Sequence, residues 1–102
     1  MKQSQRPVPI TSISLSIPPK IKVESFLEIE GYLPDAAWEL LEEKISIDEI
    51  EKIVFIRIDG KRDPNLMAAQ VVRNFKKSIP LVFDSGGKWK IQCNDKNLEI
   101  VI

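Results

Sequence analysis

Over residues 21–30 the chain alternates without a break. Ile21, Val23, Ser25, Leu27 and Ile29 share one face, and Lys22, Glu24, Phe26, Glu28 and Glu30 share the other. A period of two over ten residues means extended backbone, because a helix would scatter these side chains around its circumference. The same period recurs elsewhere. Ile13, Leu15 and Ile17 alternate with Ser12, Ser14 and Ser16 until Pro18-Pro19, which cannot donate to a sheet ladder. Ile79, Leu81 and Phe83 alternate around Pro80, which marks an edge strand or a bulge. Trp89, Ile91 and Cys93 alternate with Lys88, Lys90 and Gln92, and Leu98, Ile100 and Ile102 repeat the pattern after a polar turn at 94–97. Residues 87–102 therefore read as a hairpin. Residues 53–58 are β-branched and aromatic, and read as a strand buried on both faces for part of its length.

Two stretches carry the opposite local signal. Residues 36–44 consist mostly of good helix formers, Asp35 is placed to cap them, and Trp38, Leu41 and Ile45 have helical spacing. Asp63-Pro64 has the form of a helix start, and Leu66, Met67, Val71 and Phe75 follow as a helical stripe. Residues 1–9 are largely polar, include Pro7 and Pro9, and read as a disordered tail or linker. Order is expected from Ile10, with residues 10–102 as a single domain. One domain is what 102 residues, 43% of them hydrophobic, allow.

Gly31-Tyr32-Leu33-Pro34-Asp35 resembles the G-x-L-P element of small, largely uncharacterised bacterial β-sandwich domains, which are often exported. Arg62-Asp63-Pro64, Gln70, Phe75 and Ile79-Pro80-Leu81 resemble the central stretch of that family. Gly87-Lys88-Trp89-Lys90-Ile91 resembles its closing G-x-Y-x-V hairpin, with Trp89 in place of Tyr. The resemblance covers residues 10–102. It implies an all-β fold, an antiparallel immunoglobulin-like sandwich of about seven strands, with at most one short helix near 64–75. Under it, residues 36–47 and 68–83 are largely extended. That overrides the helical propensity of 38–47 and leaves 64–73 open between a short helix and an extended crossover. The family carries one cysteine just after G-x-L-P and another just before the Gln; this chain has Ala37 and Ala68 there. The resemblance thus implies a lost disulfide, with the two alanines facing each other. Asn74 stands where relatives often have Pro. An exported or cell-surface location is implied by the resemblance; the missing cysteine pair weakens the case for an oxidising compartment, and the cytoplasm is expected if the N-terminus shown is native.

The chemistry available to the chain is narrow. It has no His, which excludes Ser-His-Asp, Cys-His and His-ligated metal centres together. Its single cysteine, Cys93, lies on an apolar face and reads as a small buried hydrophobe. No run approaches the ~20 apolar residues of a membrane span. Fifteen bases balance fifteen acids, so nothing global draws the chain to nucleic acid or an anionic membrane. Along the chain, however, charge is segregated: residues 24–51 hold ten acids and one base, and residues 52–102 hold ten bases and five acids. Either a bipolar surface steers a charged partner, or neighbouring strands carry complementary charges.

Glu28, Glu30, Asp35, Asp48 and Glu49 are candidate Ca²⁺ ligands, without EF-hand spacing. A glycosidase-like pair of carboxyls would need a cleft that so short a chain has little room to build. Arg73, Lys76, Lys77, Lys88 and Lys90, with Phe75 and Trp89, suggest a strip for stacking bases, but the hairpin alternation turns Trp89 away from its lysines and into the core. Phe26 lies between Glu24 and Glu28 on the charged face of its strand. With Tyr32 it is the candidate interface anchor, unless the strand is covered on both faces or a bulge turns Phe26 inward. The sequence therefore points to a non-catalytic β-sandwich domain that acts through protein–protein contact, with no cofactor, no metal and no nucleic acid. Its expected interface is Phe26, Glu24, Glu28 and Tyr32. The alternative is a small ligand- or Ca²⁺-binding domain using residues 24–51. The expected core is Ile21, Val23, Leu27, Ile29, Val54, Ile56, Ile79, Leu81, Trp89 and Ile91.

Overall fold

The computed structural model describes residues 4–16, 18–67 and 70–102, and the chain it shows is all-β. Ten strands form: β1 (Ser4–Pro7), β2 (Ile10–Leu15), β3 (Ser25–Leu33), β4 (Trp38–Leu40), β5 (Lys44–Asp48), β6 (Ile53–Arg57), β7 (Asp59–Arg62), β8 (Arg73–Leu81), β9 (Lys88–Cys93) and β10 (Lys96–Val101). They make a three-stranded sheet in the order β2-β3-β8, a four-stranded sheet β10-β9-β6-β5 and a small sheet β1-β7-β4. The alternation read from the sequence sets which side chains enter the core. β3 and β8 bury Leu27, Ile29, Ile79 and Leu81; β6 and β9 bury Val54, Ile56, Trp89, Ile91 and Cys93. Trp89 meets Phe83 edge to face, with ring centroids 5.1 Å apart, and its indole N–H donates to the Ser85 carbonyl at 3.0 Å. That satisfies the one polar atom such a ring carries inward.

The small sheet lengthens the molecule to 49 × 24 × 18 Å, and the radius of gyration of 15.5 Å exceeds the about 13 Å of a compact chain this long. The two shortest passages between sheets are Val8-Pro9, between β1 and β2, and Ile58, between β6 and β7. Asn94, in the β9–β10 turn, ties both crossings together. Its Nδ2 donates to the Val8 and Ile58 carbonyls, each at 2.9 Å, and its Oδ1 accepts from the Ile58 N–H at 3.0 Å. Its φ of +51° is one that Asn tolerates better than most residues. Gly31 of the G-x-L-P stretch lies under the Phe75 ring and against the Pro9 carbonyl, where a Cβ would collide with both.

Several sequence expectations are corrected. Residues 4–8 are not a disordered tail: β1 pairs antiparallel with β7, Gln5 bonds to Asp59, Arg6 covers the Trp38 ring at 4.7 Å, and Val8 is buried. Among the described residues the strand count is ten in three sheets rather than about seven in two, because β1, β4 and β7 are short pieces that pair among themselves. The pairing is not wholly antiparallel either, since β6 and β9 run parallel. No helix forms among the described residues. Asp35 caps a turn instead, its Oδ1 accepting the Ala37 N–H at 2.8 Å; Asp63 does the same for Asn65 at 2.9 Å. A carboxylate that accepts a nearby N–H serves a tight turn as well as a helix start.

Ile21 and Val23 are each 48% exposed. A turn closed by Lys20 and Val23, with Lys22 at φ +60°, breaks the alternation before β3 begins. The double-faced burial expected for part of 53–58 fails at the middle of the strand, where Phe55 is 42% exposed. Ile17, and the Ala37–Ala68 pair through Ala68, lie outside the described residues, as does part of the 64–75 stretch.

Candidate interaction surface

A four-stranded sheet packed on a three-stranded one leaves a strand overhanging. β10 lies against β2, so the overhang falls at the other flank, on β5. The register sets Ile45 opposite Ile56 and Ile47 opposite Val54. Both isoleucines therefore point toward the interior side of the sheet, yet they remain 43% and 44% exposed while Ile56 and Val54 are buried. The outward side carries one exposed aromatic among polar residues. Phe55 stands there between Ser46 and Gln92, on the floor of a groove of about 820 Å³ walled by Pro7, Val8 and Pro9. Among the described residues β5 has a partner strand only on its β6 side, so its other edge presents unpaired backbone groups, with Ile45 and Ile47 on one face and Lys44, Ser46 and Asp48 on the other. Lys44 and Asp48 close its two ends. Asp48 also shapes the turn into β6, its Oδ1 accepting the N–H groups of Ile50 and Glu51 at 3.0 Å.

The expected interface on β3 is only partly assembled. Phe26 points outward and is 39% exposed, opposite Pro80. No bulge turns it in, since the register with β8 is unbroken from Ser25 to Leu33. Glu28 lies beside it and accepts a hydrogen bond from Ser78 at 3.1 Å. Glu24 is exposed just before the strand, and Tyr32 is half-buried at the far end, six residues and about 20 Å from Phe26.

The segregated charge is paired in part, through four of the ten acids of 24–51. Glu30–Lys76, Glu39–Lys61, Glu43–Lys77 and Asp35–Arg62 join the acidic 24–51 stretch to the basic one at 3.1–3.6 Å. The candidate Ca²⁺ ligands are dispersed. Glu28, Glu30, Asp35 and Asp48 are each held by a different base, hydroxyl or backbone N–H. Among the described residues no three His, Cys, Asp or Glu side chains gather to hold a metal.

Two carboxyls are perturbed. Burial pushes the buried Asp59 upward, but hydrogen bonds from Gln5 and Arg57 outweigh it and hold the group below its ordinary value. In Asp35 partial burial is likewise outweighed, by the Ala37 N–H and the Arg62 guanidinium. Burial first, then the nearby Asp95, pushes the Cys93 thiol up to about 11, so it is no nucleophile at neutral pH. Trp89 is 1% exposed, and its ring is out of reach of a base laid on Lys88 and Lys90.

Sequence reasoning missed the β5 surface. Lys44-Ile45-Ser46-Ile47-Asp48 does alternate, but Ile45 also completes the helical spacing of Trp38 and Leu41. No family model matches the chain, and neither the curated proteins nor the solved structures yield a significant match. No helix among the described residues is long and apolar enough to cross a membrane.

Proposed function

We propose that the chain is a non-catalytic, immunoglobulin-like β-sandwich that works through protein–protein contact, made at the free edge of β5. The observation that carries this is the overhang: an unpaired strand edge with Ile45 and Ile47 exposed on one face and, behind Ser46 on the other, the exposed Phe55 of β6. Such an edge accepts an extended segment as an added strand; backbone hydrogen bonds supply affinity and alternate side chains supply selectivity. The absence of His from the sequence and the high pKa of Cys93 support a role without catalysis. Ca²⁺ binding by residues 24–51 gains no support from carboxylates that are engaged singly and apart.

The test is a display library of random seven-residue peptides selected on the chain, with the enriched peptides mapped by amide chemical shifts. Peptides with alternating apolar residues that move residues 44–48 and 55 are expected. Failure to enrich any peptide, or shifts confined to the Phe26 face, contradicts the assignment. So does a large rise in melting temperature at micromolar Ca²⁺.

A further inference from the structure

We infer that the occupant of the β5 edge is a second copy of this chain, paired antiparallel about a two-fold axis through Ser46; the inference rests on β5 being the contact surface. β5 reads Lys-Ile-Ser-Ile-Asp, which is complementary to itself when reversed. About an axis at Ser46, Lys44 faces the partner's Asp48, Ile45 faces the partner's Ile47, and the two Ser46 residues face each other. Opposite charges directly across a ladder stabilise it, and apolar pairs do so when they are covered.

The faces agree as well as the register. A two-fold axis normal to the sheet keeps interior sides together, so Ile45 and Ile47 of both copies form one four-residue apolar patch. These are the two β5 side chains that the fold aims inward and leaves half uncovered. Neighbouring registers lack this match. An axis one residue earlier sets Asp48 against the partner's Glu42, and one residue later sets Ile45 against the partner's Glu49. Closed two-fold contacts of this isologous kind are the commonest way that identical chains associate. A five-residue ladder is small against the 1,200–2,000 Å² of a stable interface, so the dissociation constant should be weak, on the order of 100 µM.

Sedimentation of the wild-type chain from about 10 µM to 1 mM should show a shift from monomer to dimer. Lys44→Glu alone, or Asp48→Lys alone, turns both symmetric charge pairs into repulsions and should weaken self-association about tenfold or more. An equimolar mixture of these two variants restores both pairs as Glu–Lys and Asp–Lys, and should dimerise where neither does by itself. The combined variant should also recover. Asp48→Lys also removes the cap on Ile50 and Glu51, so a second arm is needed that does not touch it. Ser46→Cys places one thiol at the axis and should cross-link rapidly under mild oxidation. Ser14→Cys, exposed on β2, should not, and Cys93 is buried.

A wild-type chain that stays monomeric at 1 mM, with Ser46→Cys cross-linking no faster than Ser14→Cys, overturns the self-pairing. Loss of self-association in the single variants without rescue on mixing also overturns it. If peptides still bind at 44–48 in that case, β5 remains a contact edge for a different partner; if they do not, both proposals fall.

Discussion

The two flanks of the molecule are built differently. At one, β10 lies against β2, and Leu98 and Ile100 of β10 pack on the core. At the other, β8 and β5 end their sheets, and only β8 is guarded. Its rim carries Lys76, Lys77 and Ser78, and Pro80 has no N–H to offer another strand. β5 has one lysine, at its end, and turns two half-exposed isoleucines toward the interior side. Lys77 reaches Glu43 at the foot of β5 at 3.3 Å, so the β8 guard stops where the overhang begins. Of the two strands that end the large sheets at this flank, β5 is the one without such a guard, which is why the proposed contact is placed there.

This contrast between an enclosed flank and an open one can be broken by substitution. The largest effect is expected in the enclosed core. Trp89→Ala removes a ring that is 1% exposed and should cost about 3–5 kcal/mol in urea unfolding; a loss below about 1 kcal/mol would contradict the packing around Phe83. Next comes the clasp at the crossings. Asn94→Ala strands the Val8 carbonyl and the Ile58 N–H, and leaves the Ile58 carbonyl with the Val8 N–H alone; it should cost about 2–4 kcal/mol, measured in the same way.

A smaller, pH-dependent effect belongs to Asp59. Its folded pKa lies below the unfolded one, so its contribution is complete above the ordinary carboxylate range and is lost as pH falls through the folded value. The urea midpoint should drop below about pH 4, and Asp59→Asn should flatten that part of the profile. The smallest effect is expected at the open flank. Ile47→Ser should cost under about 1 kcal/mol in the dilute chain, because Ile47 is already 44% exposed. A cost as large as that of a buried isoleucine would mean that β5 is covered.

What the sequence discloses follows the range of the interactions involved. β3 and the β9–β10 hairpin are legible because their alternation is local and long, and the buried Leu27, Ile29, Trp89 and Ile91 follow from it. β1 is illegible because a four-residue strand ending in Pro7 has no pattern of its own; its place is set by Asp59, 54 residues away from Gln5. The Asn94 clasp spans 86 residues to Val8, and no local signal reports such a contact. The β5 surface was hidden by ambiguity, since Ile45 fits a helical stripe as well as a strand. Phe26 was legible as an exposed aromatic, but its distance from Tyr32 is set by a straight strand that keeps both ends of the face apart.

The central claim, that β5 is an open edge which another strand completes, is tested most directly by amide hydrogen exchange at two protein concentrations. At about 10 µM, where dimers on the order of 100 µM in affinity are dissociated, residues 44–48 should exchange much faster than the buried β9. At about 1 mM their protection should rise several-fold while that of β8 stays constant. Protection at 44–48 that already equals that of β9 in the dilute sample, or that does not change with concentration, would contradict the account.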